Sequence, residues 1–378
     1  MVTVAGGVEA ATGPVQSTMA QPVTDAQPAA EATASPSAPA EREVLERRRE
    51  VTIKAKGEGG RTRRVTISSG TCSNIGIRRS TNEDTFLNLQ EPLFNQHAAK
   101  SIQVDPSSPQ RSLLAIFDGH KGVECANFCR DRLASNVIAA SNFGKPDCLE
   151  DILKEAIEKT DKEFLDSNRS LGKSDSAGST AIVFFMQGDQ VAISNTGDSR
   201  AVLCRCGHTV PLSKDHNPSL KSEVKRIKEN GGMIGYNERD ALARSKRNWL
   251  CNALFSCCLD LKIGTPYIFP GKCGIAVSRS MGDLKMKDVN ILIATPDVTS
   301  FTLMEGDEFI ILACDGLWDV IPSEVAVRFI RSFRKSERPD ANDPAAAAQA
   351  LVNCAIGLRS KDNITVQVIY FGYPARGQ

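Results

Sequence analysis

Several things are missing from this 378-residue chain, and each absence removes a class of function. Neither sign of charge prevails: 46 basic residues face 45 acidic ones, for a formal net charge of +1. Such a balance offers no field for nucleic acid or an anionic membrane surface. No apolar run approaches the length of a membrane span. The N-terminus, Met1-Val-Thr-Val-Ala-Gly-Gly, lacks the charged-then-apolar pattern of a secretory signal. Residue 2 is not the Gly that myristoylation needs. The expectation is a soluble intracellular protein, cytoplasmic and/or nuclear. Twelve cysteines suit that compartment, and none stands in Cys-x-x-Cys spacing. Cys125, Cys129 and Cys314 fall in apolar or amphipathic segments, where Cys behaves as a small hydrophobe. Cys204, Cys206 and His208 make a partial zinc set with no fourth ligand. No internal repeat is evident.

What is present is globular: 41% hydrophobic and 24% charged residues, enough for a sizeable core. Residues 1 to about 40 are dominated by Ala, Pro, Thr, Gln and Val and read as a disordered tail. The charged stretch Glu41–Glu50 suggests a short helix. Val65–Ser69 alternates like a strand, with Asn74–Arg78 as its expected partner. Ala126, Cys129, Leu133, Val137 and Ala140 recur at spacings of three and four, giving one helical stripe. A second helix is expected over Leu149–Leu165. Segments beginning at Gly178, Gln190 and Ser199 read as a three-stranded meander. Lys221–Glu229 reads as an amphipathic helix stopped by Gly231-Gly232. A late helix has Asp343 as N-cap and Pro344 at its first position. Hairpin-linked strands set apart from helices argue for an α+β fold.

Two apolar runs each end on Asp-Gly: Leu113–Phe117 before Asp118-Gly119-His120, and Phe309–Cys314 before Asp315-Gly316-Leu-Trp-Asp319. Either pair alone is ordinary turn chemistry, since Asp bonds its own backbone and Gly accepts positive φ. Together with Asp362, which opens another apolar run, they place carboxylates at several strand ends. Such charges are costly unless cations meet them. Glu83, Asp118, Asp175, Asp315, Asp319 and Asp362 form an all-oxygen set that suits Mg²⁺ or Mn²⁺ rather than zinc. Two ions about 3.5 to 4 Å apart would clamp both oxygens of a phosphate-ester displacement. Arg79 offers a planar fork for phosphate oxygens. His120 is placed to protonate a leaving alkoxide.

Eight blocks in order then carry a resemblance. They are Arg79-Ser-Thr-Asn-Glu83-Asp84, Phe117-Asp118-Gly119-His120, Asp175-Ser-Ala-Gly-Ser-Thr180, Asn195-Thr-Gly-Asp198-Ser-Arg200, Lys214-Asp-His216-Asn-Pro, Ala276-Val-Ser-Arg-Ser-Met-Gly-Asp283, Cys314-Asp315-Gly-Leu-Trp-Asp319 and Lys361-Asp362-Asn363. Across roughly residues 64 to 372 the chain resembles the metal-dependent serine/threonine protein phosphatases of the protein phosphatase 2C family. Composition makes 1–60 a disordered Ala/Pro-rich tail with a short charged segment, and the resemblance implies a four-layer α-β-β-α sandwich of two antiparallel sheets in a catalytic domain over 61–375. It implies that Asp118 bridges two Mg²⁺ or Mn²⁺ ions and Gly119 lends its carbonyl. Asp315 and Asp362 would complete one ion's shell and Glu83 would serve the other. Asp175, Asp315 and Asp319 match acids linked to a third, weaker ion. Arg79 would bind the substrate phosphate, a metal-bridged water would attack phosphorus, and His120 would act as general acid. Asp84 and Asp283 would stand behind these groups and hold them in orientation. The Asp198-Ser199-Arg200 block is read as shaping a turn. The implied substrates are proteins phosphorylated on Ser or Thr, handled by a monomer without an obligate regulatory subunit.

The chain departs from the family pattern twice. Lys121 stands after Asp-Gly-His, where a small residue is usual. Residues 233–277 exceed the family's short flap segment by about thirty residues, beyond an ordinary connection. That insertion, with Arg239, Arg244, Lys246, Arg247 and Trp249, is expected beside the cleft. Two rival readings remain. One is a pseudophosphatase that keeps the fold as a binding module, against which the intact acids, Arg79 and His120 argue. The other is a cysteine phosphatase, because Cys72-x₅-Arg78 formally fits its spacing, although Thr71 replaces the usual preceding His.

Overall fold

Runs such as Leu113–Phe117 and Phe309–Ala313 are buried along their whole length. Each lies inside a sheet covered on both faces, so neither face needs polar side chains. The computed structural model describes residues 43–47, 51–56, 62–90, 94, 110–237, 265–269 and 274–373. With strands numbered along the chain, the first antiparallel sheet has the order β1 (Glu43–Arg47), β3 (Thr62–Asn74), β16 (Ile364–Gly372), β15 (Asp307–Ala313), β9 (Arg200–Arg205) and β10 (His208–Pro211). A seventh strand, β2 (Val51–Lys56), also pairs with β3. The second sheet has the order β13 (Met281–Gly282), β6 (Gly178–Ser179), β5 (Arg111–His120), β7 (Ala181–Gln187), β8 (Gln190–Thr196) and β14 (Asp297–Thr302). There β4 (Asp84–Gln90) adds to β5. A separate hairpin pairs β11 (Met233–Asn237) with β12 (Thr265–Phe269).

Three apolar layers make the sandwich. Between the sheets, Leu114, Ile116, Phe184 and Ile193 meet Leu203, Ile310, Leu312 and Ile369. Outside the second sheet, α1 (Glu124–Ile138) and α2 (Leu149–Ser170) cover Leu113, Ala115, Phe117 and Phe185. After α3 (Lys221–Glu229) and the short α4 (Leu284–Lys287), helices α5 (Asp315–Trp318), α6 (Ser323–Arg334) and α7 (Pro344–Gly357) follow. These three bury Trp318, Ile330 and Leu351 against the first sheet. The α-β-β-α order expected above is the one observed. As expected, Asp343 caps α7, its carboxylate accepting from the Ala345 amide at 2.9 Å.

Three local expectations fail. Glu43–Arg47 is an edge strand, not a helix, because Glu43 is tied to its neighbours. It accepts from Asn74 Nδ2 at 3.3 Å and from the Gln349 amide. Asn74–Arg78 is not a partner strand. The Asn74 side chain accepts from Gly76 N at 2.8 Å, and Gly76 turns at φ 76°, which ends β3. Nor is there a meander: β7 and β8 pair, but β9 leaves for the first sheet and pairs with β15. Gly197, at φ 112°, makes that crossing, and Thr180 and Ser199 hydroxyls meet at 2.8 Å across the seam. Only the arms of the 233–277 insertion are described; residues 238–264 lie outside the described residues. Ile234 and Ile268 of the arms pack with Ile227, Val277 and Ile291.

Candidate active site

Strand register brings the first two acids together. In the β4–β5 pairing Asp84 stands opposite Asp118. Asp118 lies two residues beyond the last β5 residue paired with β7, so the strand end is free to turn toward β6. Directly opposed carboxylates repel, and sheets avoid them unless a cation or a proton intervenes. Asp84 Oδ2 accepts from Thr365 Oγ1 at 2.7 Å and from the Cys314 thiol at 3.3 Å. Its other oxygen, Oδ1, is buried and has no hydrogen-bond partner among the described residues. Ligand atoms of Asp84, Asp118 and Cys314 all lie within 4.8 Å of one another. Cys314 is a poor ligand here, because burial and then Asp84 and Asp118 push its thiol well up, keeping the proton on sulfur.

The first sheet supplies the remaining acids. Asp315 begins α5 straight after β15, and Asp362 precedes β16. Their loops interlock with the β3–β4 turn. Asn363 donates to the carbonyls of Ile75 and Thr81 at 2.9 and 3.0 Å, and its own Oδ1 accepts from Glu83 N at 2.9 Å. Glu83 Oε1 in turn accepts from the Gly122 amide at 2.7 Å. Gly119 N donates to the Glu83 carbonyl at 3.2 Å, and a Cβ on Gly119 would collide with that carbonyl. Arg79 Nη2 sits 2.7 Å from Asp362 Oδ2.

The electrostatics record a shortage of positive charge. Burial, and then Asp84, Asp315, Asp198 and Asp362, push Asp118 well above the ordinary carboxylate range. Burial followed by Asp198, Asp319, Asp362 and Asp84 does the same to Asp315. Burial raises Asp84 to about 6, with Thr365 and Cys314 opposing and Asp362 adding to the rise. Burial, Asp215 and Asp319 raise Asp198 to about 7. Glu83, Asp118, Asp198, Asp315 and Asp362 are each part-exposed and Asp319 is exposed, so these acids line an open mouth. Packed carboxylates open to solvent on one side, with an orphaned buried oxygen behind them, fit hard divalent cations of the Mg²⁺ or Mn²⁺ kind.

Among the sequence-derived residues, the structure groups Asp84, Asp118, Asp315, Asp319 and Asp362 electrostatically. The Asp175 carboxylate lies 3.7 Å from Lys121 Nζ. Asp198 lies in the bend between β8 and β9, as its block suggests, and also stands among the acids. The signal was its place between two apolar runs, the same strand-end pattern that marked Asp118. His120 Nε2 lies 2.7 Å from Asp283 Oδ2, which also accepts from Ser280 Oγ at 2.8 Å. Burial works against the Asp283 charge, yet His120, Lys121 and Ser280 together hold its carboxyl below the usual range. Asp283 therefore backs His120, while Asp84 faces Asp118 directly. His216 is buried beside Asp297, 3.0 Å away, and burial, then Arg279, keep its imidazole below the usual range. Trp318 is a wall: its Nε1 donates to the Ala313 carbonyl at 2.9 Å. Cys72 lies within β3, fully buried, and burial followed by Glu43 drives its thiol well up, the reverse of what a nucleophile needs.

Comparison with known proteins gives the same outline. The family model described as protein phosphatase 2C matches residues 78–364. A protein of Oryza sativa subsp. japonica named "Probable protein phosphatase 2C 57" is 33% identical over 308 residues, covering 81% of this chain and 72% of that one. Protein phosphatase 1L of Bos taurus is 32% identical over 268 residues, covering 69% of this chain and 64% of its own. The crystal structure of serine-threonine phosphatase 2C from Toxoplasma gondii shares the fold, with a TM-score of 0.64 at 22% identity. It covers 85% of this chain and 98% of that chain.

Proposed function

The chain belongs to the protein phosphatase 2C family of metal-dependent serine/threonine protein phosphatases, and from that premise we propose that it hydrolyses phosphoserine and phosphothreonine at this acidic mouth. The observation that carries the reading is the gathering of carboxylates from both sheets with more protons than free acids hold. Glu83, Asp118, the Gly119 carbonyl, Asp315 and Asp362 would hold two Mg²⁺ or Mn²⁺ ions. Asp175, Asp315 and Asp319 would serve a weaker third, with Asp198 beside the last two. Bound there, the ions supply an acidified water and positive charge against the phosphate. Arg79, held at the mouth by Asp362, grips the phosphate oxygens bidentately. Asp283 fixes one ring nitrogen of His120, which leaves Nδ1 to hand a proton to the departing seryl or threonyl oxygen. A water oxygen joins phosphorus as that ester bond breaks, and no phosphoenzyme is needed.

The test is hydrolysis of a phosphothreonine peptide and of an aryl phosphate. Each is assayed with Mn²⁺, with EDTA, and for Asp118→Asn and Cys72→Ser. Turnover should need Mn²⁺ or Mg²⁺, vanish in Asp118→Asn and persist in Cys72→Ser. Metal-independent turnover lost only in Cys72→Ser would overturn the reading. No turnover under any condition would favour the binding-module alternative.

A further inference from the structure

One cation at the mouth has no part in the chemistry so far. Lys121 follows His120 in a left-handed backbone, φ 59°, a conformation that glycine adopts most readily. Its ammonium reaches inward to donate to Asp283 Oδ1 at 3.0 Å, and lies 3.7 Å from the half-exposed Asp175 carboxylate. Asp283 is itself left-handed, φ 53°, and its side chain has no solvent exposure. Oδ2 is shared by His120 Nε2 and Ser280 Oγ, at 2.7 and 2.8 Å. Lys121 therefore occupies the oxygen that these two leave, and with all three in place the carboxylate cannot rotate without breaking a charge-assisted bond. The site of Gly178 closes the pocket, because a Cβ there would collide with both Asp283 Oδ2 and His120 Nε2.

We propose that Lys121 is a positioning residue for the proton donor: by clamping Asp283 Oδ1 it fixes the His120 ring with Nδ1 toward the leaving oxygen. The inference rests on the role given to His120 above. A group that acts through the proton donor matters most where the leaving group needs a proton. A threonine alkoxide needs one; 4-nitrophenolate does not.

The experiment compares Lys121→Met, Lys121→Arg and His120→Gln, alone and combined, on a phosphothreonine peptide and on 4-nitrophenyl phosphate, with Mn²⁺ saturating. Lys121→Met should lower kcat on the peptide about tenfold, the scale for losing a group that orients a catalytic one. KM should hold, and kcat on the aryl ester should change less than about twofold. Lys121→Arg should recover most of the loss. In the His120→Gln background, Lys121→Met should add nothing on the peptide, the signature of two residues acting as one. Equal losses on both substrates, with or without a lower Tm, would overturn the proposal, as would no change on either. A raised KM with kcat intact would overturn it too, by making Lys121 a phosphate grip. If the unmodified protein hydrolyses neither substrate, the functional reading itself fails, which separates the two failures.

Discussion

Asp84, Asp118, Asp198 and Asp315 hold their protons to higher pH than free carboxylic acids do, and this has a consequence for stability. An unfolded chain releases these protons near pH 4. The folded, metal-free protein keeps them to about 6 at Asp84 and about 7 at Asp198, with burial as the main cause. Between those values the native state binds more protons than the unfolded one, so stability falls as pH rises. Metal-free Tm should therefore decline from about pH 5 to about pH 7.5, and saturating Mn²⁺ at pH 7.5 should restore it by mass action. Asp283, Asp297 and Glu223 act oppositely, but their low-lying carboxyls matter only in more acid solution. His216, held below the usual imidazole range by burial, also acts oppositely and within this window, one group against four. A thermal series in EDTA that rises steadily to pH 7.5 would contradict this. The same repulsion predicts that Asp118→Asn raises the metal-free Tm at pH 7.5 while abolishing the Mn²⁺ shift. A lowered metal-free Tm would show that Asp118 is not under electrostatic strain.

At the scale of elements, the sequence marked what one segment decides by itself and missed what a partner decides. The stripe of α1 and the cap of α7 were legible because their signals are local. The edge strand at Glu43 was not, since its charged residues suit a solvated helix equally well and only Asn74 and Gln349 settle the matter. The departure of β9 was hidden because Gly197 turns as readily into a hairpin as across to another sheet. Asp198 carries the same strand-end signal as Asp118, but only that crossing brings it to the acids of the first sheet. Close approach between elements is equally silent in sequence. At Gly316 a Cβ would collide with the Asn363 carbonyl, so α5 and the start of β16 touch backbone to backbone. Gly316→Ala should cost about 1–3 kcal/mol by overpacking. It should also weaken Mn²⁺ binding, because Asp315 and Asp362 flank the contact. Asp343→Ala, which only uncaps α7, should cost about 1 kcal/mol and leave Mn²⁺ affinity alone. Urea unfolding with isothermal titration of Mn²⁺ separates the two; equal Mn²⁺ affinity in both variants would refute the Gly316 argument.

For the molecule as a whole, the site stands where the two sheets meet at one end of the sandwich. Asp84 and Asp118 belong to the second sheet, Asp315 and Asp362 to the ends of strands in the first, and Asp198 to the crossing between them. An ion shared by these groups therefore ties sheet to sheet, and its affinity depends on how firmly the central layer holds them together. Phe184 is fully buried in that layer, among Leu114, Ile116, Ile310 and Leu312. Phe164 is buried in the outer layer, where α2 covers the second sheet. Truncating either to Ala should cost about 3–5 kcal/mol of stability. The consequences for metal should differ. Phe184→Ala loosens the joint that the acids span, so Mn²⁺ affinity should fall several-fold along with Tm. Phe164→Ala leaves that joint packed, so Tm should fall while Mn²⁺ affinity stays within about twofold, as expected for sites without shared partners. Titrating Mn²⁺ into each folded variant, well below its Tm, decides the point. If the two variants lose metal affinity equally, the ions report on global stability alone and the sheets do not act as the two jaws of the site.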